Sequence, residues 1–253
     1  MTSTSNTRWI GLFPAAGFGT RLNASGSKEI MPVTDTESAT GESVAVGDLL
    51  LRQMHRAAVD DILLIRRAEK SDLADHYIHS GKFNGLNIID QVIDATPSTT
   101  HTLDAVFEHW KDKPVALGFP DIILHPINVL QRLREKLEHT DAAICLALFP
   151  VDEPSRYDMV TLHDDRVSRI EIKPAATDST LSWAAAVWRP HFSDYLHEQV
   201  RQHQSNRELY PGEVFNRAIR DQFPVLGVTF ASGTALDVGT PAALAQARIK
   251  RTS

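Results

Sequence analysis

An α/β fold built on a mostly parallel sheet is predicted by three observations. Short apolar runs alternate with segments of helical period up to Pro150, no segment repeats, and the first apolar run leads into a glycine-containing turn. The strand-like runs are 9–13, 61–65, 86–93, 114–117 and 142–149. Between them, Val46, Leu49, Leu50, Met54 and Ala57 recur at helical spacing, as do Ile127, Leu130, Leu133 and Leu137 behind Pro126 at a helix start. After Pro150 the rhythm changes. Runs 157–163 and 167–173 joined through Asp164-Asp165 predict a hairpin, and 183–188 a further strand. Helices are expected over 192–203 and 212–221, a strand over 225–230 and a last helix over 241–251. No Gly-, Ser- or Pro-rich linker divides the chain, so residues 1–253 are read as one domain with a smaller mixed lobe laid against a helix-flanked sheet.

Composition narrows the class. At 253 residues, with 42% hydrophobic and 23% charged side chains, the chain can bury a large core. A net charge of -6 argues against a broad nucleic-acid or membrane surface, so a polyanion would have to be held by local cations and metal ions. The single cysteine, Cys145, sits in an apolar run and reads as a core residue. Residues 1–7 are polar, and no run approaches the ~18 apolar residues of a membrane helix. The expectation is a cytoplasmic protein that binds neither nucleic acid nor membrane, with self-association into a homo-oligomer left open.

The most informative stretch is Phe13-Pro14-Ala15-Ala16-Gly17-Phe18-Gly19-Thr20-Arg21-Leu22, followed by Ser27-Lys28-Glu29-Ile30-Met31-Pro32. Small residues behind a buried strand let backbone N–H groups approach a phosphate chain, Arg21 can fork onto phosphate oxygens, and Lys28 adds a point charge. Leu22 stands where a dinucleotide fingerprint needs its third glycine, and Gly19 is not followed by Lys-Ser/Thr, so neither a Rossmann dinucleotide site nor a Walker A loop is present. Asp121, after the fourth strand run, and Asp237, after a late one, are either turn or N-cap aspartates or metal ligands.

The whole string resembles the N-terminal motif of nucleotidylyltransferases that join a nucleoside triphosphate to a sugar 1-phosphate, most closely the bacterial UTP–glucose-1-phosphate uridylyltransferases and then the thymidylyltransferases. That resemblance runs from Trp9 to about Ala247 and includes Asp237-Val238-Gly239-Thr240-Pro241. It implies a Rossmann-like mixed sheet with a nucleotide-binding half, 8–150, and an acceptor-binding half, 151–253. It further implies a Mg2+ ion on Asp121 and Asp237, with Arg21 and Lys28 as catalytic cations. Pro14, Ala15, Ala16, Gly17, Gly19, Thr20 and Thr99 would lie around the nucleotide, UTP first and dTTP second. Lys173 would hold the acceptor phosphate, and Ile172, Asp158 and Glu213 would line the acceptor. The implied chemistry is an in-line displacement at the α-phosphorus with release of pyrophosphate.

The chain also departs from that pattern. Gln91 lies too early and Thr99 and Thr100 fill the glycine region that usually meets the base. Ile172 replaces a glutamate before the Lys-Pro, Asp158 a glycine after the tyrosine, and Ala185 or Ala186 a later glycine. Glucose 1-phosphate is therefore expected to be a poor acceptor. A non-catalytic nucleotide-sugar-binding regulator and a cytidylyltransferase for a polyol phosphate or phosphonate stay open. His76 and His79 lack the carboxylates of a zinc set, and Glu213 also reads as a helix N-terminal carboxylate.

Overall fold

The computed structural model describes residues 8–18, 26–35, 38, 40–204 and 207–249. The first apolar run forms β1 (Ile10–Pro14), followed by a short antiparallel ribbon of β2 (Pro32–Thr34) and β3 (Ser43–Ala45). Then come α1 (Val46–Arg56), β4 (Asp61–Arg66), α2 (Ser71–Ala74), β5 (Asn87–Val92), α3 (Thr99–Asp104), β6 (Val115–Leu117) and β7 (Ile122–His125). The chain continues through α4 (Val129–Glu138), β8 (Ile144–Pro150), β9 (Asp158–His163), β10 (Arg166–Ile172), β11 (Leu181–Trp188), α5 (Pro190–Gln202) and α6 (Pro211–Arg220). It closes with β12 (Val225–Thr229), β13 (Thr234–Asp237) and α7 (Pro241–Ala247).

Nine strands make one sheet in the order β5-β4-β1-β6-β11-β8-β12-β10-β9. The first four run parallel, as the alternating pattern requires, with Leu12 opposite Leu63 on one side and Leu117 on the other. β11 then enters antiparallel between β6 and β8, β12 returns parallel to β8, and the β9–β10 hairpin closes the edge antiparallel. Asp164, at a φ of 54°, makes the left-handed turn of that hairpin. The strand before Asp121 is thus the direct neighbour of β1, the arrangement that puts Asp121 beside the loop leaving β1.

Both faces are covered, which is why the early strands read as continuous apolar runs. On one face Leu50, Leu51 and Met54 of α1 and Leu130, Leu133 and Leu137 of α4 pack against the sheet. On the other, Leu103, Trp110, Phe192, Leu196 and Phe215 do so. Cys145 is fully buried among them, and its thiol is pushed by burial up to about 12, which removes it as a nucleophile at neutral pH. His76 is tied to the buried Asp48 at 2.8 Å.

Two ribbons and one helix were not expected from sequence. β2–β3 and β7–β13 are strands of three or four residues whose partners lie far along the chain or across a polar loop, so neither shows a period. α3 opens at Thr99, where Ser98 caps it by accepting from the His101 N–H. The last helix is described to Ala247, and residues 250–251 of the expected helix lie outside the described residues.

Candidate active site

Ala15 continues the path of β1 by donating its N–H to the Ile65 carbonyl at 2.8 Å, and both Ala15 and Ala16 are buried. Gly17 then comes out at the surface. A side chain there would meet no protein atom within 4 Å, so packing does not require the glycine. Gly19, Thr20 and Arg21 lie outside the described residues.

Lys28 is positioned by a dense set of polar contacts around a single 3-10 turn, Lys28–Ile30. Ser27 donates from both its N–H and its Oγ to Asp72, each at 2.7 Å. Glu29 is fully buried and takes two bonds from Lys70, at 2.8 and 3.0 Å, while the Tyr77 hydroxyl donates to the Glu29 carbonyl at 3.0 Å. Gly47 allows this closeness, since a Cβ there would lie 2.3 Å from the Tyr77 hydroxyl and 3.0 Å from the Glu29 carbonyl oxygen. With the turn held on both sides, the Lys28 ammonium reaches Asp121 and forms an ion pair. Burial alone would lower the Lys28 pKa, but Asp121, with Glu29 and Asp237 behind it, raises it above the ordinary lysine value, so the group stays charged.

Asp121 follows β6 at the turn into β7, where the Ile122 N–H donates to the Phe119 carbonyl at 3.0 Å. The β7–β13 ribbon brings in Asp237, paired in register with Ile122, and the Val238 N–H bonds the Asp121 carbonyl at 2.9 Å. Asp237 accepts from the Gly239 N–H at 2.7 Å. Two carboxylates more than a hundred positions apart in sequence thereby share one end of the sheet. No group of three or more His, Cys, Asp or Glu side chains that could hold a metal ion occurs among the described residues.

The opposite wall comes from the β9–β10 hairpin, β11 and the start of α6. Asp158 pairs with Ile172 across the hairpin, and Lys173 follows in the left-handed region at a φ of 41°. The Lys173 ammonium lies 4.2 Å from the centre of the Tyr210 ring. Burial raises Asp158 to about 6, with the Trp183 indole N–H and Lys173 pulling the other way. That indole N–H is directed at the carboxylate but falls outside hydrogen-bond geometry, leaving Trp183 Nε1 and Asp158 Oδ1 buried without partners.

The two walls enclose a cleft of about 340 Å³. Of the residues singled out from sequence, Pro14, Gly17, Lys28, Thr99, Asp121, Asp158, Lys173 and Asp237 line it. Ala15 and Ala16 are buried behind it. The half-buried Ile172 does not line it and lies against Gly212, whose Cβ would sit 3.0 Å from Ile172 Cδ1. Glu213 is likewise not a lining residue. It accepts from the Tyr210 N–H at 3.1 Å and pairs with Arg207 at 2.6 Å, the helix-terminal reading of that carboxylate. The lining residues that sequence reasoning missed include Phe119, Tyr157, Trp183, Glu208 and Tyr210. Tyr157 and Phe119 stand within two positions of residues already singled out, a signal that could have found them. Trp183 and Tyr210 carried none. A second cavity, about 260 Å³, adjoins at Pro14, Gly17 and Thr99 and extends along residues 96–98. A larger hollow of about 690 Å³ lies elsewhere, beside α1, but its Arg52 is paired with Asp35 and it contains none of the residues discussed.

The raised Asp158 gives a stability prediction independent of function. A carboxyl whose folded pKa exceeds its unfolded value contributes stability at low pH that is lost as pH rises from about 3.8 through about 6. Asp158→Asn has no such loss, so its melting temperature should gain on wild type between pH 5 and pH 7.5. A gain that shrinks over that interval in parallel melts would contradict the burial argument.

A parallel sheet whose carboxyl edge carries a small-residue loop, a buried lysine and two convergent carboxylates defines an α/β protein built to handle phosphates. A family model for nucleotidyl transferases matches residues 11–253, and the chain belongs to that family and is a nucleotidyltransferase. A search of curated protein sequences finds no match. Among solved structures, the chain is similar to a Bacillus anthracis protein assigned as a glucose-1-phosphate thymidylyltransferase and crystallised with sucrose. The TM-score is 0.80 at 17% identity, over 94% of this chain and 93% of that one. It is also similar to an apo UDP-glucose pyrophosphorylase, with a TM-score of 0.79 and 17% identity over 95% and 96%. A third, a UTP-bound UDP-glucose pyrophosphorylase (UGPase) of Acinetobacter baumannii, gives 0.76 at 16% over 95% and 92%. These likenesses concern the fold. No helix among the described residues is long and apolar enough to cross a membrane.

Proposed function

We propose that this nucleotidyltransferase joins a pyrimidine nucleoside triphosphate, UTP first and dTTP second, to a sugar 1-phosphate or sugar-like phosphate. The observation that carries the reading is the convergence of Lys28, Asp121, Asp237 and Lys173, from four separate stretches of chain, on one cleft. The acceptor's phosphate oxygen attacks the α-phosphorus, the bond from that phosphorus to the bridging oxygen breaks, and pyrophosphate leaves. A phosphate monoester is already an anionic nucleophile, so the protein's work is positioning and charge stabilisation rather than proton abstraction.

Lys28, anchored through Ser27 and Glu29, stands at the nucleotide side, and Lys173 at the acceptor side. Gly17 leaves the loop backbone open to a phosphate chain. The donor set suits magnesium: Asp121 and Asp237 are two hard oxygen ligands, and water and substrate phosphate commonly fill the rest of that ion's octahedron. When bound there, it would neutralise charge on the triphosphate. In the described arrangement the Lys28 ammonium supplies the positive charge beside Asp121. Residues 8–150 would serve the nucleotide and 151–253 the acceptor, with the fold's soluble character suiting a cytoplasmic enzyme.

Pyrophosphate release with a panel of triphosphates and sugar phosphates tests the reaction. Thermal melting tests the base: UTP or dTTP should stabilise more than ATP or GTP at equal concentration, with about 2.7 kcal/mol available at a hundredfold excess over Kd. Larger shifts with purine triphosphates would overturn the pyrimidine preference and direct attention to Thr99 and its neighbours.

A further inference from the structure

Resting on the acceptor reading above, one group in the cleft calls for a ligand of particular chemistry. Asp158 is the first residue of β9, largely buried, and its Oδ1 has no hydrogen-bond partner. A desolvated carboxylate in that state is costly unless a cation or a donor completes it. The position is built to hold it. Gly212, in the first turn of α6, leaves room where a Cβ would come within 2.5 Å of Asp158 Oδ2. The surrounding walls are aromatic: Trp183 lies edge-on to Phe215 at 5.1 Å and 5.8 Å from Phe119, and Tyr210 stands on the same side of the cleft. The local charge is in acidic surplus, because Glu208 lines the same cleft and both it and Glu213 act on Asp158 as further negative charge. Lys173 opposes them, but that lysine is the one assigned to the acceptor phosphate.

A hydroxyl could donate to Asp158, yet it would leave the surplus charge uncompensated. An ammonium group meets both requirements, donating hydrogen bonds while balancing the charge against faces that favour cations. We propose that Asp158 is a specificity residue that selects an acceptor carrying a protonated amine, bound as an ion pair between the Trp183 and Tyr210 walls. The phosphate end of the same molecule rests on Lys173, so the acceptor spans the wall from lysine to carboxylate.

Calorimetric binding of nucleoside diphosphate sugars, which needs no turnover, tests this. The uridine and thymidine forms of the neutral hexose, its 2-, 3- and 4-amino counterparts and their N-acetyl derivatives would be titrated into wild type and Asp158→Asn. At least one amine should bind about 10- to 100-fold tighter than its matching hydroxyl form. N-acetylation should erase that advantage, and Asp158→Asn should reduce it to less than about threefold while leaving the neutral sugar nearly unchanged. Gly212→Ala, which crowds the carboxylate, should weaken the preference in the same direction. Equal binding of amine and hydroxyl forms by the wild type, or equal weakening of both by Asp158→Asn, would overturn the proposal while leaving the nucleotidyl-transfer reading intact. Failure of every nucleotide sugar to bind, together with no pyrophosphate release, would instead overturn that reading and this inference with it. Should Asp158→Asn fail to fold, the wild-type contrast between free and acetylated amine still decides.

Discussion

Asp237→Asn and Asp121→Asn should each reduce pyrophosphate release by at least about 100- to 1000-fold, the loss seen when one preorganised charge is removed from a reacting site. Each substitution keeps the shape of the side chain and deletes its charge. At Asp237 the amide oxygen can still accept the Gly239 N–H, so the turn before α7 should persist and the melting temperature should hold. At Asp121 the outcome is compound, because the same change removes the ion partner of Lys28. A modest fall in melting temperature is therefore expected for Asp121→Asn and none for Asp237→Asn, with turnover lost in both. Measuring release across a magnesium titration, beside the melts, separates the effects. Near-normal turnover by either variant at subsaturating magnesium would sink the two-carboxylate assignment.

The second large effect concerns the support beneath Lys28. Lys70→Met should destabilise the protein by about 3–5 kcal/mol, since it leaves the Glu29 carboxylate buried without its cation. Glu29 is fully buried, and even with Lys70 present its burial holds the carboxyl above the usual range. A folded pKa above the unfolded one means that stability falls as pH rises through the folded value. Lys70→Met raises that value further, so its deficit against wild type should be larger at pH 8 than at pH 5. Adding Glu29→Gln should restore much of the loss, because the amide carries no charge to desolvate. Urea unfolding at the two pH values gives the comparison. A single variant within about 1 kcal/mol of wild type would show that the pair is not what holds the Lys28 turn.

Much of the phosphate side was legible because its signals are local. The strand 9–13 is a run of apolar residues that can only be buried, Gly17 follows it directly, and Lys28 stands a few positions on. The parallel strands 61–65 and 114–117 announced themselves by hydrophobic runs between helical segments, and both flank β1. Asp121 could be placed at the carboxyl edge once its strand was set beside the first. The acceptor wall was harder. Ile172 and Glu213 were reachable by position along the chain, but side-chain direction is a property of the hairpin register and of the cap on α6, which turns Glu213 toward Arg207. Trp183 and Tyr210 join the cleft from β11 and the edge of α6, elements that meet β9 only after the sheet has formed.

By itself the sequence determined the α/β class, the parallel β1 core, the phosphate-facing loop and the identity of the charged groups, since each depends on composition and spacing within one short segment. The tertiary structure alone decided that β11 crosses from the later half to lie between β6 and β8. It alone paired Asp237 with Asp121 through a four-residue ribbon and left Asp158 buried between an indole and a glycine. The physical reason is range. Burial periodicity and turn chemistry act over a few residues, whereas the ribbon, the ion pair and the orphaned carboxylate arise from contacts between segments tens to more than a hundred positions apart, which no local pattern encodes.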